Sequence, residues 1–291
     1  ATASATASAT ASATASATAS ATEALGVEQV EQFRELGYTT ALDFFTPREV
    51  QAMLAELERF KREGLGRNVA TDGDGATHSR TQINYQIIPL NDKSALFRAL
   101  PFHAKVKQAV SQLIGDPYLR QLDQIFLKPA RSGAGTAWHT DNAYFKIADP
   151  TLGTGLWIAL HEATIANGTM RVIPRSHLQT FEHYRDPNSD HHIRFDADES
   201  KAVPIELPAG GALFFNYGVA HCTKANTTDK ERAGLAYHFV RREVAPLPKD
   251  WGVKKEWIHI TGPEASGGER EYGARVEGTW EDEVRRRIES R

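Results

Sequence analysis

The sequence predicts a mainly β protein with flanking α-helices, and three observations carry that expectation. After Pro117 the chain breaks into short runs bounded by turn residues, at Gln124–Ala130, Thr136–Phe145, Gly153–Ala163, Thr169–Pro174, Val203–Leu207, Ala212–Ala220 and Arg232–Arg241. Before that point apolar residues recur at helical spacing instead. No Pro/Gly/Ser linker divides the chain into two self-sufficient halves, so residues 23–291 are expected to form one domain. Within it, a helical flank over about 23–115 precedes a β core over about 118–243 and a charged tail over 244–291. Short strands with helices gathered before them suggest a sandwich or small barrel.

Taken in order, residues 1–22 repeat Ala-Thr-Ala-Ser and are set aside as an artificial or untraced low-complexity tail, because three small side chains in period four build neither core nor site. At Thr46-Pro-Arg-Glu49 an N-cap, a proline at the first helical position and a capping-box glutamate open a helix. Val50, Met53, Leu54, Leu57 and Phe60 give it an apolar stripe, and Gly64 ends it. Phe102, Val106, Val110, Leu113 and Ile114 mark a second helix that stops at Gly115. Between them, Gly64–Arg80 is rich in Gly, Asp and Thr without periodicity, which suits either a lid or disorder. Leu178–Lys201 is a polar insertion carrying His183, His191 and His192, read as a solvated loop in preference to a substrate lid. The tail has aromatic anchors at Trp251, Trp257, Tyr272 and Trp280.

Composition narrows the function. A formal net charge of -3 over 291 residues disfavours a nucleic-acid backbone binder. Cys222 is the only cysteine, so no intrachain disulfide can form. No apolar run approaches the roughly 20 residues of a membrane span, and no basic-then-apolar signal pattern is seen, so a soluble cytoplasmic protein is expected.

The chemistry is concentrated in His139-Thr-Asp141, with His221 following 80 residues after the aspartate and Arg232 another 11 residues on. Two imidazoles and a carboxylate suit iron on one triangular face. On a strand, His139 and Asp141 would share a face because side chains alternate. Alone the step is weak, since with eleven histidines composition supplies about one such match by chance. His221 closes the apolar run Ala212–Ala220, where a histidine is more often a structural rim residue than a ligand. Arg232 adds weight: it shares a strand face with Gly234 and Ala236, small residues that leave room for a ligand, and its planar fork suits a carboxylate.

In order, Lys128-Pro129, Trp138-His139-Thr-Asp141, Trp157-Ile-Ala-Leu160, Asn167-Gly168, Ile173-Pro174-Arg-Ser-His177, His221 and Arg232 resemble the phytanoyl-CoA dioxygenase family of oxygenases, over about residues 26–241. That resemblance implies a double-stranded β-helix (a jelly roll, cupin-like), with Fe(II), 2-oxoglutarate and O2 as cofactor and co-substrates. It implies His139, Asp141 and His221 as metal ligands. It further implies that Arg232 and Thr223 hold the distal carboxylate of 2-oxoglutarate, that Trp157 lines the co-substrate, and that Gln124 lies near its metal-bound end. Gln82 matches a further co-substrate contact more loosely. Arg175 stands where many members have glycine.

The reaction so implied is hydroxylation of an unactivated C–H coupled to release of succinate and carbon dioxide. Asp141 fills the position that related halogenases leave open for chloride, which favours hydroxylation. Desaturation or epimerisation by the same ligands stays open, as does a cupin-like metal-binding or sensing module without turnover, or a metal-assisted hydrolase. Substrate contacts are sought at Asn142, Tyr144, Phe145, His161 and Arg175, with Arg175, Arg80 or Lys146 as anchors for a small polar or anionic metabolite (amino-acid-derived, phosphonate or secondary). The stretch Asp141-Asn-Ala-Tyr-Phe-Lys-Ile departs from the aromatic pattern expected of an ectoine hydroxylase.

Overall fold

A computed structural model describes residues 23–246, 258–267 and 279–289; the repeat at 1–22 and Trp251, Trp257 and Tyr272 lie outside the described residues. Two antiparallel sheets make the β core. The larger runs in the order β1 (Tyr38–Ala41), β11 (Ala212–Asn216), β6 (Gly153–Ala159), β13 (Arg232–Arg241), β4 (Tyr118–Lys128), β3 (Tyr85–Ile87) and β2 (Arg67–Asn68), with β14 (Ile258–His259) also pairing with β4. The smaller runs β10 (Val203–Pro204), β7 (Met170–Val172), β12 (His221–Thr223) and β5 (Thr136–His139). This is the expected mainly β jelly roll with flanking helices; its sheets face each other without closing into a barrel.

Alternation along the central strands explains why the sheets need partners on both faces. Leu156 and Ile158 of β6 and Ala233, Leu235, Tyr237 and Phe239 of β13 join one apolar core with the helices. The intervening Trp157, Ala159 and Ala236 join a second core with Met170 and Val172 of the smaller sheet. The helical layer consists of α1 (Val27–Leu36), α2 (Pro47–Arg62), α3 (Ala95–Ala99), α4 (Ala104–Ile114) and α6 (Trp280–Glu289). In α2, Thr46 Oγ1 accepts from Glu49 N (3.3 Å) and the Glu49 carboxylate accepts from Thr46 N (2.7 Å), the capping box expected. Trp280 anchors the C-terminal helix: it is fully buried, stacks on His103 at 5.7 Å and donates to Glu49 Oε1 at 2.6 Å.

Two strands end earlier than expected, and both breaks build the site. The run Thr136–Phe145 is strand only to His139; Asp141 has helical angles (φ -62, ψ -31) and opens the single turn α5 (Asn142–Phe145). Backbone bonds from Tyr144 and Phe145 N to Asp141 O, at 2.9 and 3.0 Å, close that turn. The run Ala212–Ala220 stops at Asn216, whose side chain accepts from Gly218 N at 3.0 Å and turns the chain. His221 therefore opens β12 in the opposite sheet; it does not close a strand.

The two long polar segments are ordered against each other. Asp190 N donates to Val69 O, Thr71 N to Asn188 O and Gly75 N to Pro187 O, at 2.7 to 3.0 Å, and Arg67 pairs with Asp190. The insertion expected as a solvated loop contains a hairpin, β8 (Tyr184–Arg185) with β9 (Ile193–Arg194). His192 within it is buried.

Candidate active site

His139, Asp141 and His221 converge, with one donor atom from each within 4.8 Å of the others. The cause is local backbone. His139 ends β5, His221 begins β12, and the two residues are directly paired across the small sheet, their rings 4.2 Å apart. The α5 turn then swings Asp141 beneath them. Thus the reason first given for their proximity, two side chains on one face of a single strand, is replaced by a strand end followed by a helical turn.

Each imidazole is oriented before any ligand arrives. Nδ1 of His139 contacts Ala137 O at 2.8 Å and Nδ1 of His221 contacts Val219 O at 2.9 Å. A carbonyl can only accept, so each Nδ1 carries the proton and each Nε2 presents its lone pair. Those Nε2 atoms lie 3.8 and 3.7 Å from Asp141 Oδ1, inside the limit of about 4.2 Å for donors sharing one ion at bonds of about 2.1 Å. Burial lowers the His139 imidazole to about 3, reinforced by His221, and burial lowers His221 as well, so both are neutral donors. Burial opposes the Asp141 charge, but His238, His221 and His139 outweigh it and hold the carboxyl well below its usual range. The donor set fits a metal ion with three protein ligands on one face.

Arg232 and Lys128 form the second part of the site. They are direct cross-strand partners on β13 and β4, and both are buried. Arg232 donates to Gly168 O and lies over the Trp157 ring, 5.4 Å from its centroid, while its buried Nε has no hydrogen-bond partner. Lys128 Nζ donates to Thr223 Oγ1 at 2.7 Å and to Lys224 O. Among the described residues neither cation has a carboxylate partner. Burial, then Arg232, lowers Lys128 well below an ordinary lysine, and burial lowers Arg232 to about 10. The space left by small residues beside Arg232 is not empty, because a Cβ at Gly234 would fall 2.3 Å from Trp157 Nε1, and one at Gly155 would fall 2.5 Å from the Phe215 ring. Here glycine admits a ring, which then floors the arginine.

A cavity of about 430 Å³ opens beside the metal face. His139, Asp141, His238, Gln124, Tyr144 and Phe145 line it near the ligands, with Ile88, Leu122, Phe126, Gln86, Thr136, Arg67, His191 and His192 completing the wall. Gln86 donates to Gln124 at 2.8 Å. Arg232, Trp157 and Thr223 are not among the lining residues.

The other residues proposed from sequence fall elsewhere. Gln82 is exposed, and Gln86, four residues on and facing inward, meets Gln124 in its place. Asn142 folds onto its own loop, exchanging hydrogen bonds with Ile147. His161 Nδ1 accepts from Ala233 N at 3.1 Å, away from the cavity. Arg175 adopts φ 63, the left-handed conformation for which glycine is the usual residue, and its exposed side chain pairs with Glu35, so its difference from family glycine concerns a turn. Arg80 and Lys146 are exposed and outside the lining. Sequence reasoning missed Lys128, His192 and His238 as site residues. The signal for His238 was present, since it continues the alternation Arg232, Gly234, Ala236.

The family model "Phytanoyl-CoA dioxygenase (PhyH)" matches residues 33–234, more than half of the chain. The chain belongs to the phytanoyl-CoA dioxygenase family. Among curated members it is 29% identical over 178 residues to a phytanoyl-CoA dioxygenase domain-containing protein 1 homolog of Caenorhabditis briggsae, covering 57% of this chain and 59% of the relative. It is 22% identical over 257 residues to the ectoine dioxygenase of Bordetella parapertussis, covering 82% of each. The chain thus spans less than two thirds of the nematode family member. In structure it resembles the epimerase SnoN in complex with Fe3+, alpha ketoglutarate and nogalamycin RO, with a TM-score of 0.65 at 20% identity, over 81% of this chain and 95% of that one. Among the described residues no helix of this family member is long and apolar enough to cross a membrane.

Proposed function

We propose that the protein is an Fe(II)- and 2-oxoglutarate-dependent dioxygenase that hydroxylates a C–H bond of a small molecule, releasing succinate and carbon dioxide. The observation that carries this reading is the register Arg232↔Lys128 beside the metal face. Like charges placed directly opposite on neighbouring strands repel, and burial adds a desolvation penalty to each. An anion between or beside them offsets both costs. A hydrolytic or sensing metal site needs no such pair, whereas a dicarboxylate chelating the metal through one end supplies that anion at the other.

The chain's own groups divide the task. His139, Asp141 and His221 would hold iron, which supplies the oxidising chemistry when bound together with 2-oxoglutarate and O2. Arg232, Lys128 and Thr223 would orient the far carboxylate, Trp157 would fix the guanidinium plane, and Gln124 would face the near end. Tyr144 and Phe145 would help to exclude water from the open side.

The lining modifies the expected substrate. The cavity's cation, Arg67, is already paired with Asp190, and burial lowers His139 and His192, with His221 adding to the first and His191 to the second. Ile88, Leu122, Phe126 and Phe145 offer apolar contact, with Gln86 and Gln124 as hydrogen-bonding groups. These features support a substrate with an apolar body and an uncharged polar group over a multiply charged anion. Anaerobic titration of the Fe(II)-loaded protein with 2-oxoglutarate tests the activity class. A weak visible charge-transfer band supports chelation; tight zinc retention with no band overturns it. A succinate-release screen over metabolite pools then identifies substrates, and product mass separates hydroxylation, which adds an oxygen atom, from desaturation, which removes two hydrogens.

A further inference from the structure

Asp141 is the only one of the three ligands that does not lie on a strand, and a carboxylate can bind a metal through one oxygen or two. Two-oxygen ligation would use four of six octahedral positions, leaving no place for a dioxygen-sized ligand once a two-point chelator is bound. The structure contains a device that separates the oxygens. Oδ1 faces both imidazoles at 3.8 and 3.7 Å, whereas Oδ2 points to His238 Nδ1 at 3.3 Å. Both Oδ2 and His238 Nδ1 are buried, and neither meets a hydrogen-bond partner among the described residues, so each is left to the other. The His238 ring is held by Phe145 and Tyr217, with centroids at 5.3 and 6.0 Å, and its backbone lies on the long strand β13. A rigid strand thus reaches across to the carboxylate carried by a short turn.

We propose that His238 is a positioning residue that donates from Nδ1 to Asp141 Oδ2 and thereby keeps Asp141 a one-oxygen ligand. This inference rests on the metal-site reading above. It assigns His238 no contact with the reacting atoms.

The test uses Co(II)-loaded full-length protein, His238→Phe, which keeps a ring without a donor, and His238→Asn, whose amide nitrogen can stand where Nδ1 stands. Crystal structures of the loaded forms should show one Asp141 oxygen at bonding distance in the wild type and H238N, and two in H238F. In anaerobic Fe(II) protein with saturating 2-oxoglutarate, nitric oxide binding followed by the S = 3/2 electron paramagnetic resonance signal should weaken about tenfold or more in H238F and recover in H238N. Two-oxygen ligation in the wild type, or one-oxygen ligation with undiminished nitric oxide binding in H238F, overturns the proposal. If H238F does not fold, the wild-type structure and H238N decide: failure of H238N to keep one-oxygen ligation overturns it equally. Failure of the wild type to take up Co(II) sinks the metal reading itself, while Co(II) uptake without any response to 2-oxoglutarate sinks only the oxygenase reading.

Discussion

The metal face and the Arg232–Lys128 pair are neighbours built on opposite principles. Both imidazoles of the metal face are pre-set by nearby backbone: each Nδ1 contacts a carbonyl two residues earlier, and both rings are neutral. The cation pair is unbalanced, with two buried positive groups in direct register and no carboxylate among the described residues. The difference teaches which half is complete before ligand arrives. The metal face is ready for an ion, whereas the cation pair is stabilised fully only by an anion.

The largest effect should come from the metal side. Asp141→Ala or His221→Ala removes one of three ligands and should lower Fe(II) affinity by roughly a hundredfold or more and abolish succinate release; retained tight binding in isothermal titration would show that the triad is not the site. Arg232→Ala should break the comparison differently, weakening 2-oxoglutarate by about 2–5 kcal/mol, or roughly 30- to 5000-fold, with Fe(II) affinity nearly unchanged. Equal loss of both would make the arginine structural. Thr223→Val removes the acceptor of Lys128 Nζ and of Thr136 N, and should raise the 2-oxoglutarate Kd by about tenfold.

The smallest effect is in pH, where both halves should lose stability as pH falls, but over different windows. Against an ordinary imidazole at 6.5, burial lowers His139 to about 3, with His221 adding to the effect, and lowers His191 to about 4, with Arg67 and Arg185 adding to it. Between these values the unfolded chain binds protons that the folded chain refuses, so this stability is complete above pH 6.5 and is lost as pH falls toward 4 and 3. Lys128 is lowered from 10.5 by burial and then Arg232, so its contribution is complete only above pH 10.5 and declines as pH falls toward its folded value. Melting of the apo protein should therefore drop by a few degrees from pH 7.5 to 5 and rise on the alkaline side until other groups titrate. Saturating 2-oxoglutarate with metal should flatten the alkaline rise. An unchanged alkaline slope would mean that the co-substrate does not neutralise Lys128.

The sequence was most legible where period and capping act locally. The α2 capping box, the stop of α4 before Gly115 and the full span of β13 follow from adjacent residues. The ligand set was legible as a set, but its geometry was not. Apolarity suggested that Ala212–Ala220 would continue as one strand, whereas the Asn216 turn, a side-chain-to-backbone bond, carries the chain into the other sheet. Likewise, nothing in His-Thr-Asp indicates a helical turn at the aspartate. Gln82 and Gln86 both precede the core, and only the inward side chain of Gln86 on β3, beside Gln124 on β4, separates them. His192 was illegible because its burial depends on a hairpin held by residues more than a hundred positions earlier.

That long-range hairpin contact bears on how this protein's selectivity could be redesigned. Part of the cavity wall, Arg67, His191 and His192, belongs to the segments 67–75 and 186–192, which are stitched together through main-chain donors and acceptors whose spacing is independent of side-chain identity. Grafting one segment from another family member would strand the carbonyls of Val69, Pro187 and Asn188 unless the second segment came with it. Exchanged as a matched cassette, the two should transfer as one unit, leaving the ligand set and its buried cations in place.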